Sequence, residues 1–220
     1  MSDDESIVSD DPTLSSPERV SAFTDAVLAI IMTILVLEVG VPSGLSEQSL
    51  REALDEIGST LIAWIISFLL VGMYWVWHRD LFNKVRAVNR DVVWLNIVFL
   101  LPVSLIPFAA AVLGDYHDEA IALRLYGLVL LAVTAAKLVL YWYVQNRPQL
   151  LSTPPSRRTV RLGLLLSAAP ASLYAIAMAL AGVSHQLSLA IYLAVPGAYV
   201  LLVTLLRDRP ATAGRADGFS

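Results

Sequence analysis

Residues 19–38 read RVSAFTDAVLAIIMTILVLE, a basic residue, then fourteen apolar residues among eighteen, then a carboxylate. The run is long enough to cross the roughly 30 Å hydrocarbon core of a bilayer as a helix, which takes about 20 apolar residues. It carries one ionisable side chain inside, Asp25. The residues before it include Asp3, Asp4, Glu5, Asp10, Asp11 and Glu18. A cleaved secretory leader begins with basic residues and has a shorter apolar core, so this segment reads as a retained membrane span.

Five more runs of the same kind follow, at about 58–77, 92–113, 122–144, 162–182 and 186–206. Across the 220 residues 57% are apolar and 15% charged, against about 25% charged in an ordinary soluble domain. The expected fold is therefore an all-α integral membrane protein with six transmembrane helices. The expected organisation is a disordered acidic tail at 1–18, a six-helix membrane domain at 19–206, and a disordered tail at 207–220. With no cysteine, thiolate chemistry and disulfide scaffolding are excluded. A net charge of −4 and the lack of a basic patch outside short loops give no footprint for nucleic acid.

Six spans put both termini and the second and fourth loops on one side. That side holds Arg19, Arg79, Lys84, Arg86, Arg90, Arg147, Arg157, Arg158, Arg161, Arg207, Arg209 and Arg215, whereas the other has Arg51 and Arg124, with Lys137 inside the fourth span. Basic residues accumulate on the cytoplasmic side, so both termini are expected there, in a multi-pass protein of the cell membrane. Glu47, Glu52, Asp55, Glu56, Asp115, Asp118 and Glu119 decorate the outer loops. Such a distribution would concentrate cations outside, or be no more than a solvated acidic surface. Pro102 and Pro107, Pro170, and Pro196 are expected to kink the third, fifth and sixth spans.

An Asp about two turns inside a membrane helix is costly unless paired or hydrated, which makes Asp25 a candidate functional residue. Arg19 lies about 9 Å away along the same axis and on another face, so a partner from another helix is expected. Alternating spans place His78 and Asn96 at a comparable depth, forming a polar layer across three helices. That layer either serves transport or pins the helices by hydrogen bonding. On the first helix Phe23, Ala26, Ile30, Thr33 and Leu37 recur at three- or four-residue steps and form one stripe, which by itself reads as packing or lipid-facing surface.

Arg19-x-x-x-Phe23-Thr24-Asp25, followed by Ala29-Ile30, Thr33 and Leu37-Glu38, resembles the first-helix signature of the endosomal/lysosomal potassium channel family typified by transmembrane protein 175, in its single-repeat prokaryotic form. Tyr74-Trp75-x-x-His78 and Trp94-x-Asn96-x-x-Phe99-Leu100-x-Pro102-x-x-x-x-Pro107-Phe108 resemble the second and third helices of that family. The likeness covers residues 19–108; Thr24 stands where the family usually has Ser, which keeps the hydroxyl. The last three spans match only in hydropathy and number.

The resemblance implies a homotetramer in which four copies of the first helix line a central pore that passes potassium passively. It assigns the apolar constriction to Ile30, with Thr33 and Leu37 as further rings. It assigns Arg19, Asp25, His78 and Asn96 to a polar network supporting the pore helix, with Phe23, Thr24 and Trp75 packing around it. No carbonyl filter of the TVGYG kind occurs, so selection would come from dehydration at the ring and from the Thr33 hydroxyls. No cofactor or metal is expected, potassium is the expected permeant ion, and the expected partners are the bilayer and the other subunits. An alternative is a proton-coupled or cation secondary transporter using Asp25 and His78 as a relay. An enzyme is not expected, because no paired carboxylates, nucleophile motif, phosphate loop or metal-ligand cluster occurs.

Overall fold

A computed structural model describes residues 14–40, 46, 49 and 57–207. The acidic tail before residue 14, most of the connection between the first two spans that holds Glu47, Arg51, Glu52, Asp55 and Glu56, and the tail after residue 207 lie outside these. The described chain is helical: α1 (Glu18–Ile34, continued by a 3-10 turn Leu35–Glu38), α2 (Gly58–Phe82), α3 (Arg90–Val103), α4 (Ile106–Asp115), α5 (Ala120–Gln145), α6 (Arg157–Leu180) and α7 (His185–Arg207). Helices α3 and α4 together make one span. With it, α1, α2, α5 and α6 are each long and apolar enough to cross a membrane, and α7 supplies a sixth apolar helix.

Local sequence sets these boundaries. Asn89 caps α3, its Oδ1 accepting from the Val92 amide at 3.0 Å, and Ser156 caps α6, its Oγ accepting from the Thr159 amide at 3.1 Å. Pro102 has no amide hydrogen and its ring crowds the preceding turn, and α3 ends one residue later. The chain restarts at α4, where Pro107 falls in the first turn and its missing donor is harmless. Pro170 and Pro196 lie inside α6 and α7 without ending either helix.

The core lies between α2, α3, α4 and α5, with Ile66, Leu70, Phe99, Val103, Ile106, Leu113, Tyr126, Leu130 and Val133 fully buried. Gly114 permits a close approach of α2 to α4: a Cβ there would meet the Thr60 Cα at 2.9 Å, and the Ser59 hydroxyl donates to the Gly114 carbonyl at 3.1 Å. Helix α6 packs chiefly on α5 and α7 at the outside of the bundle. Four tyrosines, Tyr74, Tyr126, Tyr174 and Tyr192, are buried between α2, α5, α6 and α7. Tyr126 shares a 2.8 Å hydrogen bond with Ser67, and Tyr192 donates to the Leu123 carbonyl at 2.8 Å. The hydroxyls of Tyr74 and Tyr174 have no partner among the described residues.

At one end of the bundle three connecting segments are clasped by backbone hydrogen bonds. Ser15 pairs with Val88 in both directions at 2.9 and 2.8 Å, Arg86 donates to the Leu150 carbonyl at 2.9 Å, and Ser152 donates to the Lys84 carbonyl at 2.9 Å. Residues 14–17, counted with the tail in the sequence reading, are thus tied to the α2–α3 connection, and α1 begins immediately after them.

Candidate functional site

Helix α1 is the least enclosed helix of the first half of the chain. It buries one narrow stripe, Thr24, Leu28, Ile31 and Leu35, at the four- and three-residue steps of a helix face. The opposite stripe remains uncovered: Phe23 is 53% exposed, Ile30 57% and Leu37 75%, and Ala26 and Thr33 are exposed with them. All three proposed pore residues, Ile30, Thr33 and Leu37, therefore lie on the face that this chain leaves open. The Thr33 hydroxyl donates to the Ile30 carbonyl at 2.8 Å. Its proton is satisfied within the helix, so its oxygen lone pairs stay available on the open side.

On the covered face a single run of hydrogen bonds crosses three helices. The His78 Nε2 on α2 donates to the Asn96 Oδ1 on α3 at 3.0 Å; the Asn96 Nδ2 donates to the Thr24 Oγ1 on α1 at 2.8 Å; the Thr24 hydroxyl donates to the Val20 carbonyl at 3.0 Å. His78, Asn96 and Thr24 are all buried, so each donor in the run has its acceptor where water cannot serve. The His78 ring stacks on Phe82 at 4.2 Å and faces Phe99 at 6.2 Å, which fixes its plane.

Asp25 is held separately. Its Oδ1 accepts from the Trp75 Nε1 on α2 at 2.9 Å, and the Arg79 guanidinium lies 5.4 Å above the Trp75 ring. Trp75 is thus a hydrogen-bond donor as well as a packing group, and Thr24, expected to pack, is a full member of the polar run. Asp25, expected in one layer with His78 and Asn96, bonds instead to its own partner. Successive residues on a helix point about 100° apart, so Thr24 faces the bundle while Asp25 faces its edge.

Arg19 forms no ion pair with Asp25 among the described residues. It sits at the clasped end, lining with Ser16, Phe23, Val93, Asn96 and Ile97 an open groove of about 480 Å³. Phe23 belongs to that groove rather than to the interior around the polar run. Lys137, inside the fourth span, is 6% exposed on α5 with its ammonium 5.3 Å from the Trp77 ring centre, a cation–π contact tying α5 to α2 that its position in the sequence does not disclose. No group of three or more His, Cys, Asp or Glu suited to a metal occurs among the described residues.

Residues 19–107 match the family described as endosomal/lysosomal potassium channel TMEM175. A potassium channel of Streptomyces collinus is 33% identical over 179 residues, which is 78% of this chain and 85% of that protein. A potassium channel of a Chryseobacterium species is 40% identical over 122 residues, covering 56% of this chain and 62% of its own length. The crystal structure of a lysosomal potassium-selective channel TMEM175 homolog from Chamaesiphon minutus superposes with a TM-score of 0.73 at 25% identity, over 84% of this chain and 96% of that one. The segment matched to the family holds α1, α2, α3 and the start of α4, and with it the whole polar run and the open stripe. This chain belongs to the TMEM175 family of endosomal/lysosomal potassium channels, a family of membrane channels and not of enzymes.

Proposed function

We propose that the protein is a passive potassium channel of the cell membrane, assembled as a homotetramer with both termini in the cytoplasm and with α1 of each subunit lining the pore. The observation that carries this reading is the uncovered stripe of α1, Phe23, Ala26, Ile30, Thr33 and Leu37. A helix that binds its own bundle along one narrow face and presents the other intact is shaped to meet copies of itself around an axis. The names of its bacterial relatives as potassium channels support the permeant ion.

In the proposed pore four Ile30 side chains form a ring that offers an ion no ligand. Crossing it costs dehydration, and a ring of this kind closes by dewetting. Potassium holds its water less tightly than sodium, so the cost favours potassium. One turn outward the Thr33 hydroxyls, their protons engaged by the Ile30 carbonyls, offer oxygen lone pairs to an ion that has lost water. Leu37 adds a second apolar ring.

Asp25, Thr24, His78, Asn96 and Trp75 then hold α1 at a fixed rotation, which keeps Ile30 toward the axis. A carrier that relays protons from Asp25 to His78 is less well supported, because the two groups are engaged by different partners, Trp75 and Asn96. Potassium efflux from vesicles containing the purified protein tests the reading. Flux should run down the gradient without ATP or a pH gradient, and Ile30→Asn should raise it. Unchanged flux in Ile30→Asn would reject the constriction, and flux that needs a proton gradient and vanishes in Asp25→Asn would favour the carrier.

A further inference from the structure

Between Glu119 and Asp208 the chain contains no Asp or Glu, yet it carries Arg124, Lys137, Arg147, Arg157, Arg158, Arg161 and Arg207. Three of these cations sit together at the start of α6, and all three are exposed without an acidic partner among the described residues. Beside them an apolar groove of about 390 Å³ runs between α5 and α6, lined by Leu138, Val139 and Trp142 on one side and Leu164, Leu165 and Ala168 on the other.

The arginines and the groove share a helix face. Arg157, Arg161, Leu165 and Ala168 follow one another at four- and three-residue steps along α6, with Leu164 beside them, so the cations stand at the mouth of the groove and the apolar residues continue inward. From Arg157 to Ala168 the rise is about 16 Å, which is about half the hydrocarbon thickness of a bilayer. Beside the groove Gly163 makes room for the Tyr141 side chain between the two helices: a Cβ there would lie 2.0 Å from the Tyr141 hydroxyl.

An apolar groove whose deep end lies about one leaflet from a cationic cluster on the same helix has the chemistry of one lipid molecule. We propose that this groove binds an anionic phospholipid of the leaflet at the clasped end, with an acyl chain between α5 and α6 and the phosphate on Arg157, Arg158 and Arg161. Charge complementarity selects the anionic headgroup, since no carboxylate between Glu119 and Asp208 competes for the arginines. The site lies on α5 and α6, away from the α1 face, and does not depend on what the pore conducts.

Native mass spectrometry of the full-length assembly, titrated with phosphatidylglycerol or with phosphatidylcholine, tests the proposal. Phosphatidylglycerol should be retained preferentially, and Arg157→Gln and Arg161→Gln should each weaken its retention about fivefold. These single changes leave the basic excess that orients the chain. Ala168→Trp, which fills the groove without altering charge, should also displace the lipid, and Arg90→Gln, elsewhere on the same side, should have no effect. Melting temperatures in detergent separate loss of the site from loss of the fold. Equal retention of the two lipids, or undiminished phosphatidylglycerol retention in Arg161→Gln, would overturn the proposal. So would a disulfide between subunits in Leu165→Cys, a clean reporter in a chain without cysteine, because it would show a second copy covering the groove.

Discussion

Replacing Asn96 by Leu removes the centre of the hydrogen-bond run while keeping the volume of the side chain close. Two bonds vanish, from His78 at 3.0 Å and to Thr24 at 2.8 Å. Each buried hydrogen bond is worth about 1 kcal/mol net, and an orphaned buried donor costs about 1–3 kcal/mol more. Thr24 is spared that cost, because its hydroxyl still donates to the Val20 carbonyl. His78 is not: it is buried against Phe82 and Phe99 with no other acceptor among the described residues. With about 0.6 kcal/mol for each lost bond, the coupling typical of polar pairs inside membranes, and about 1–3 kcal/mol for the orphaned His78 donor, the expected loss is about 2–4 kcal/mol. Denaturant titration of the purified protein in mixed micelles measures it. The informative variant is the double mutant, Asn96→Leu with His78→Phe, which leaves no orphaned donor and puts a ring of similar shape into the aromatic stack. It should be at least about 1 kcal/mol more stable than Asn96→Leu alone. A double mutant as unstable as the sum of the two single changes would refute the idea that the run works through paired donors and acceptors.

Thr33→Val removes the lone pairs above the proposed constriction while keeping the branched shape, and should lower potassium flux and its preference over sodium without changing the subunit count; flux assays in both ions check this. Asp25→Asn keeps an oxygen to accept the Trp75 indole proton and should preserve assembly, whereas Trp75→Phe should lose about 1 kcal/mol, read as a lower melting temperature. Gly114→Ala forces a Cβ toward the Thr60 backbone and should destabilise by about 1–3 kcal/mol in the same denaturant titration. Lys137→Met exchanges a buried cation for a flexible apolar chain and should be neutral or stabilising in that titration, as replacement of buried charge by apolar volume often is.

The sequence makes the spans plain because bilayer crossing demands long apolar runs; five of the six runs hold one helix each and the third holds α3 and α4. The break between α3 and α4 is equally readable from Pro102 and Pro107. Partner choice inside the bundle is another matter. Thr24 and Asp25 are adjacent polar residues, and nothing in their order says that the first bonds across to Asn96 while the second meets Trp75; that depends on the rotation of α1 about its axis, set by Leu28, Ile31 and Leu35 packing inward. Four buried tyrosines, Tyr74, Tyr126, Tyr174 and Tyr192, meet only where α6 and α7 close on α2 and α5, a juxtaposition with no local signal. Lys137 reads as an anomaly until Trp77 is seen beside it.

The clasp of Ser15 on Val88 gives α1 two unlike ends. Near its start the helix is fastened by directional bonds, through Ser15, Thr24 and Asp25, and beyond Leu28 it is held by hydrocarbon contact alone, which resists separation but tolerates sliding. Such a rod behaves as a lever with its fulcrum near Thr24. A tilt of about 5° would move the backbone at Ile30, about 9 Å along, by less than about 1 Å, and at Leu37, about 20 Å along, by about 1.7 Å. Small tilts at the fastened end therefore carry the two apolar levels of α1 the same way, with Leu37 moving about twice as far as Ile30.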